Sequence, residues 1–224
     1  MHLLLLSATP FEISETADWL SNRSLSHNAS NAELLISGIG QMQTGYTLQK
    51  RIQSGHPDLV IQAGIGGSPS AADMGKVFAI RTEQIGDLGV MEKSGFYNLF
   101  EMGLEEPGRI PFTDGKLVNP YQQLLRWSGL PVKDGVTVNE IKSSDSPGFL
   151  RNADPLVESM EGAALHYVCL MEKIPFLQIR AISNLLGDRD KSRWKLNQAM
   201  ENLHATLVTL IQKLENAEET LFRV

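Results

Sequence analysis

Short apolar runs recur along the chain at residues 3–6, 34–36, 59–62, 77–80, 136–138 and 176–182. They are near-continuous rather than alternating, so each reads as a strand covered on both faces. Helical patterns fall between several of them. Thr9-Pro10-Phe11-Glu12 predicts a helix start, with Thr as cap, Pro in the first turn and Glu three residues after Thr. Residues 44–54 and 161–173 predict two further helices. Near the end, Leu196, Met200, Leu203, Leu207, Leu210 and Leu214 step by three or four residues and make one apolar stripe. The tail after it, 215–224, is expected to fray.

Residues 85–115 break this rhythm. Glycines and the aromatic residues Phe96, Tyr97, Phe100 and Phe112 crowd together there. The segment reads as an irregular excursion from the core, over a pocket or at an oligomer interface. Residues 143–147 read as a mobile loop. With neither repeat nor linker in view, the expectation is a single domain over 1–224. Its fold class is α/β, a twisted mixed β-sheet flanked by helices.

Composition narrows the field modestly. Hydrophobic residues make up 42% and charged residues 21%, ordinary for a globular chain able to bury a core. The net charge of -6 argues against a nucleic-acid partner, which clustered Lys and Arg would serve. The single cysteine, Cys169, excludes an internal disulfide and fits a reducing cytoplasm. Met1-His-Leu-Leu-Leu-Leu-Ser7 lacks the basic start of a signal peptide and reads as a first strand. No run approaches the roughly 20 apolar residues that span a bilayer, so no membrane partner is expected.

Chemistry concentrates where apolar runs end. The run at 176–182 meets Arg180, Ser183 and Asn184, and ligands of α/β sheets collect at the carboxyl ends of strands. Ala63-Gly-Ile-Gly-Gly-Ser-Pro69 is glycine-rich after a strand, but its spacing is a poor dinucleotide signature. It reads either as a tight turn or as backbone that approaches a ligand. Ser37-Gly-Ile-Gly40 reads as a strand-to-helix turn. Glu161, at a helix start beside Met160, is either a complement to the helix dipole or an acceptor for paired hydroxyls; Glu158 reads as the solvated glutamate. Glu12 completes a capping box and also stands at a strand end. His27 and His56 read as loop residues, His166 and His204 as helix residues, and none has metal-ligand spacing. No metal or cofactor is expected.

The ordered set Ser7-Ala8…Glu12, Ser37–Gly40, 57–64, Met160-Glu161 and Arg180-Ala-Ile-Ser183 resembles the nucleoside phosphorylase/nucleosidase superfamily, above all its methylthioadenosine/S-adenosylhomocysteine nucleosidase group. Arg180-Ala-Ile-Ser-Asn184-Leu-Leu-Gly-Asp-Arg-Asp190…Trp194 narrows the resemblance to the futalosine-hydrolase branch of that superfamily. The resemblance implies that Glu12 activates water, that Glu161 holds the ribose hydroxyls and that Met160 packs on the sugar. It implies that Ile39, Gly64, Ile65, Gly66, Gly67, Val138 and Asn139 line the substrate and that Arg180 and Ser183 support it. Adenine-specific relatives carry Asp where this chain has Asn184; an amide favours a 6-oxopurine, since it can donate to O6. Gln62 and Ile65 stand where phosphorylases place Arg and Ser, which favours water over phosphate as nucleophile. Asp188, Asp190 or water is the expected proton source for the leaving base. An Arg or Lys within the excursion, or on a partner subunit, is expected to meet a carboxylate on the 5′ side, and a homo-oligomer is expected. The alternatives are a phosphorylase, an adenine nucleosidase, a dinucleotide-dependent oxidoreductase and a nucleoside sensor.

Overall fold

A computed structural model describes residues 1–24, 31–144, 156–215 and 221. The chain runs β1 (His2–Ser7), α1 (Pro10–Ser24), β2 (Asn31–Ile36), α2 (Gln41–Gln53), β3 (Leu59–Ser68), β4 (Val77–Ile85), β5 (Gly89–Glu92), β6 (Gly95–Asn98) and β7 (Leu117–Val118). It continues through α3 (Gln122–Ser128), β8 (Val132–Thr137), β9 (Val157–Ser159), α4 (Gly162–Glu172), β10 (Phe176–Leu185) and α5 (Leu196–Leu214). The expected mixed α/β architecture is present, and each apolar run lies within or against a strand.

The mixed sheet closes on itself. β3 pairs with β10, β10 with β4, β4 with β8, β8 with β9, and β9 with β3 again, while β1 and β2 extend the sheet beyond β3. β3 makes this possible by changing partners along its length. Its first half, Leu59–Gln62, lies parallel to β1; farther along, Gly67 meets Glu158 of β9. The predicted turn at 63–69 is therefore mostly strand. Ala63 to Ser68 form a ladder with Ile179 to Leu185 of β10, which satisfies the backbone without a turn. The glycines serve close approach instead. A Cβ at Gly66 would lie 2.9 Å from the Glu158 carbonyl oxygen, so only glycine lets β9 close the ring.

Burial follows the apolar runs. Leu3, Leu4, Leu5 and Leu6 are all buried, as are Leu59, Val60 and Ile61 beside them. α5 packs against β10 and buries Leu203, Leu207, Leu210 and Leu214 as predicted, with Ala199 and Ile211 added to the stripe. Leu196 and Met200 are only partly covered. The excursion holds a hairpin of β5 and β6 and an aromatic contact between Phe100 and Phe112, 5.2 Å between centroids. It encloses a cavity of about 240 Å³ of its own. His166 is a core residue, fully buried and bonded at Nδ1 to the Leu117 carbonyl (3.1 Å). Burial drives its pKa down to about 3. His27, most of the expected mobile loop and most of the expected frayed tail lie outside the described residues.

Candidate active site

Glu12 has both of the roles that its position allows. Its amide donates to Thr9 Oγ1 (3.4 Å) while its carboxylate accepts from Thr9 N (3.2 Å), the reciprocal capping box that starts α1. Its other oxygen, Oε1, accepts from the Ile65 amide at 3.1 Å. Capping therefore fixes the rotamer and aims the carboxylate across β1 at β3. Gly64 keeps that route open: a Cβ there would sit 2.8 Å from Glu12 Oε1 and 2.7 Å from Arg180 Nη1.

Glu161 is the residue before α4, and its side chain makes no cap bond within that helix. It turns away and accepts from the Gly40 amide at 3.0 Å. Gly40 has φ +88°, a left-handed value that favours glycine, so Ser37–Gly40 is a clamp on Glu161 as well as a turn. Glu161 Oε2 lies 3.5 Å from Arg180 Nη2. Arg180 is 1% exposed; it also donates to Gln62 Oε1 (2.9 Å) and the Ile65 carbonyl (3.4 Å). A charge buried this deeply survives only if paired, because water no longer solvates it. The pairing leaves Glu161 with its direction set from both sides.

Behind them lies a further buried carboxylate that the sequence analysis did not single out. Glu83 accepts from Gln178 Nε2 (2.7 Å) and from Thr137 Oγ1 (2.9 Å), and Thr137 in turn accepts from the Ala163 amide at the start of α4 (2.7 Å). Burial pushes Glu83 up to about 7, against the opposing pull of those bonds and of Arg180.

Asn184 stands at an irregularity in β10, where the register with β3 shifts between Ile182 and Asn184. Its Oδ1 accepts from Ser183 Oγ (2.9 Å) and its Nδ2 donates to the Leu185 carbonyl (3.0 Å). Those two bonds orient the amide. One N–H and one oxygen lone pair remain for a ligand.

These groups surround a cavity of about 340 Å³. Of the residues expected to form a site, Glu12, Ile39, Ile65, Gly66, Gly67, Met160, Glu161, Ser183 and Asn184 line it. Gly64 and Arg180 stand behind the lining and hold Glu12 and Glu161. Val138 and Asn139 do not reach it. Val138 packs with Val136 and Leu156, and Asn139 is exposed, bound through its amide and side chain to Asp87. Ile141, two residues on, takes the lining position.

Three other expectations need correction. Glu158 is not solvated: it lies on β9 inside the closed ring, is half-buried and lines the cavity. Burial raises it to about 6, the nearby Arg189 charge opposing and Asp87 assisting. Asp188 stands outside the cavity lining and is ion-paired. Arg193 holds it through two bonds (2.7 and 2.6 Å), which depress it to about 2. Asp190 is likewise held low, first by Ser192. No residue of 86–115 lines the cavity; its cationic rim is Arg189 and Lys191, beside Trp194, from the connection between β10 and α5. That rim was missed because its side chains sit on an irregular loop with no periodicity to read.

Residues 27–212 match the model of the phosphorylase superfamily. A protein of Acidothermus cellulolyticus named futalosine hydrolase is 28% identical over 82% of this chain and 76% of its own length. A 5′-methylthioadenosine/S-adenosylhomocysteine nucleosidase of Aeromonas salmonicida is 29% identical over 69% of this chain and 68% of its own. The solved native structure of futalosine hydrolase from Helicobacter pylori superposes with a TM-score of 0.69 at 15% identity, covering 95% of this chain and 98% of that one. The match spans all but the two ends, so the chain belongs to the phosphorylase superfamily.

Proposed function

We propose that this protein hydrolyses the N-glycosidic bond of a 6-oxopurine nucleoside, and that the nucleoside is futalosine, releasing hypoxanthine. The names of the relatives support a nucleosidase. The single observation that carries the base preference is Asn184, held by Ser183 and Leu185 with one donor and one acceptor left over. That pattern suits a C6 carbonyl beside a ring N–H. It suits an exocyclic amine less well, and mismatched buried polar groups discriminate strongly.

In this reading Glu161, directed by Gly40 and Arg180, holds the ribose hydroxyls with Met160 against the sugar. Glu12 takes a proton from the attacking water. The C1′–N9 bond breaks heterolytically, its electron pair leaves with the base, and water supplies oxygen to C1′. Phosphate is disfavoured because Gln62, at one of the positions where the resembling phosphorylases grip it, is 1% exposed and already bonded to Arg180. Arg189 and Lys191 are exposed cations on the cavity rim, with the Arg189 guanidinium 5.9 Å from the Trp194 ring. They are our candidates for the carboxylate of futalosine, a group inosine lacks. Phe11, Ile39, Met42 and Tyr46 leave large apolar side chains exposed on α1, α2 and the turn before α2, and we assign a second copy of the chain as their cover. The test is hypoxanthine release from futalosine in phosphate-free buffer; strict phosphate dependence would move the assignment to a phosphorylase.

A further inference from the structure

We propose that Glu158 is the general acid that protonates the departing base, on the edge opposite Asn184. This rests on the reading of the cavity as a 6-oxopurine nucleosidase site.

The first support is register. Gly67 of β3 pairs with Glu158 on one side and with Asn184 on the other. Directly paired residues carry their side chains on the same face. Glu158 and Asn184 are thus two strand spacings apart, roughly 10 Å, with a residue between them that has no side chain. A Cβ on Gly67 would come within 2.8 Å of Leu186 Cδ2 and 3.2 Å of Asn184 Nδ2, so glycine there is what admits those two side chains over β3. Glu158 and Asn184 both line the same cavity, and a bicyclic base held by Asn184 at one edge turns its other edge toward Glu158.

The second support is elimination among the cavity's own groups. Asn184 offers an amide, which is not a proton source. Glu12 and Glu161 are occupied by N–H donors and a guanidinium. Asp188 and Asp190 are tied to Arg193 and Ser192 away from the lining. Among the described residues, nothing donates a hydrogen bond to the Glu158 carboxyl. Its flanking strands contribute Gly67 and Val136, both uncharged. Arg189 and Asp87 face it with opposite signs, and Glu12, Glu161 and Lys191 share its cavity. With burial the largest influence, the group titrates at about 6, so a useful protonated fraction persists near neutrality.

The step balances. As C1′–N9 breaks, the base takes the electron pair and accepts the Glu158 proton on a ring nitrogen. Water adds to C1′ and passes its proton to Glu12. Afterwards Glu12 releases a proton to solvent and Glu158 regains one, so the net reaction is addition of water across the bond.

The test compares leaving groups. Wild type, Glu158→Gln and Glu158→Asp are assayed on futalosine and on 7-methylinosine, whose base already carries a positive charge and needs no acid. Glu158→Gln is expected to lower kcat on futalosine by about 10²- to 10⁴-fold while 7-methylinosine cleavage stays within a few-fold of wild type. In the wild type, kcat on futalosine should fall as pH rises through about 6, a limb that Glu158→Gln loses and Glu158→Asp keeps at lower rate. Equal slowing of both substrates would mean a structural role and overturn the proposal, as would an unchanged rate on futalosine. A wild-type profile without the limb would overturn it even if the variants failed to fold. A wild type that releases base only from methylthioadenosine sinks the underlying base assignment itself, and is recognised before any variant is made.

Discussion

Replacing Gly64 by alanine perturbs the candidate site with a single methyl group. That carbon would lie 2.8 Å from Glu12 Oε1 and 2.7 Å from Arg180 Nη1, whereas ordinary contact begins near 3.4 Å. Something must move by about 0.6 Å, the difference between these distances. Arg180 is walled in, bonded to Gln62 and paired with Glu161, so the half-buried Glu12 carboxylate gives way. Its bond to the Ile65 amide, 3.1 Å long, then lengthens or breaks. A displacement approaching 1 Å at a reacting group can cost on the order of 100-fold, so kcat should fall roughly 10- to 100-fold with KM little changed. Overpacking should cost about 1–3 kcal/mol of stability, read as a lowered Tm. Gly66→Ala is the control, because its Cβ would strike the Glu158 carbonyl at 2.9 Å. Backbone cannot step aside, so this variant should lose more stability. The assay is initial-rate release of hypoxanthine at saturating futalosine beside circular-dichroism melting. A Gly64→Ala enzyme with wild-type kcat would refute the claim that Glu12 is aimed through this gap.

Glu12→Gln should bind substrate as well as wild type does and lose about 10²- to 10⁴-fold in kcat; isothermal titration and single-turnover rates check the two halves. Asn184→Asp should cut kcat/KM on 6-oxopurine nucleosides and raise the relative rate on methylthioadenosine, since a carboxylate beside the Leu185 carbonyl, 3.0 Å from Asn184 Nδ2, is driven to hold a proton. An unchanged ratio of the two rates would count against Asn184 as the base selector. Glu83 gives a pH dependence of folding. Its pKa is raised from 4.5 to about 7, so the native state keeps a proton that the unfolded chain releases. Its stability contribution is full below about 4.5 and is lost as pH rises through about 7, on the order of 3 kcal/mol in total. Glu83→Gln should flatten that part of the urea-midpoint profile, and a profile parallel to wild type would contradict the assignment.

The strand cores were readable because burial on both faces demands runs such as Leu3–Leu6, and α5 because its stripe keeps helical period. β9 was not: three residues carry no period, and Val157–Ser159 owe their strand character to β3 and β8 on either side. α3 was missed for a similar reason, being seven residues long with only Leu124, Leu125 and Ser128 buried. The glycines of β3 looked like a turn since glycine permits turning; here they admit the close approach of β9, Glu12 and Arg180, which only the tertiary arrangement reveals. For the site, Glu12 and Asn184 were read at strand ends and Glu161 at a helix start, and the three line one cavity. Local sequence failed where the fold decides: Glu158, expected to be solvated, lines the cavity beside Glu161, and Asp188, expected as one possible proton source, is held by Arg193 five residues on. Val138 and Asn139 missed the lining by three and two residues, because the chain runs on past β8 before Ile141 reaches the cavity.

The most direct measurement is to incubate the protein with futalosine, inosine and methylthioadenosine, each with and without phosphate, and to quantify the free base. The account predicts hypoxanthine from futalosine at a rate indifferent to phosphate, with inosine slower and adenine release slowest. Adenine release outpacing hypoxanthine, or hypoxanthine appearing only when phosphate is supplied, would contradict it.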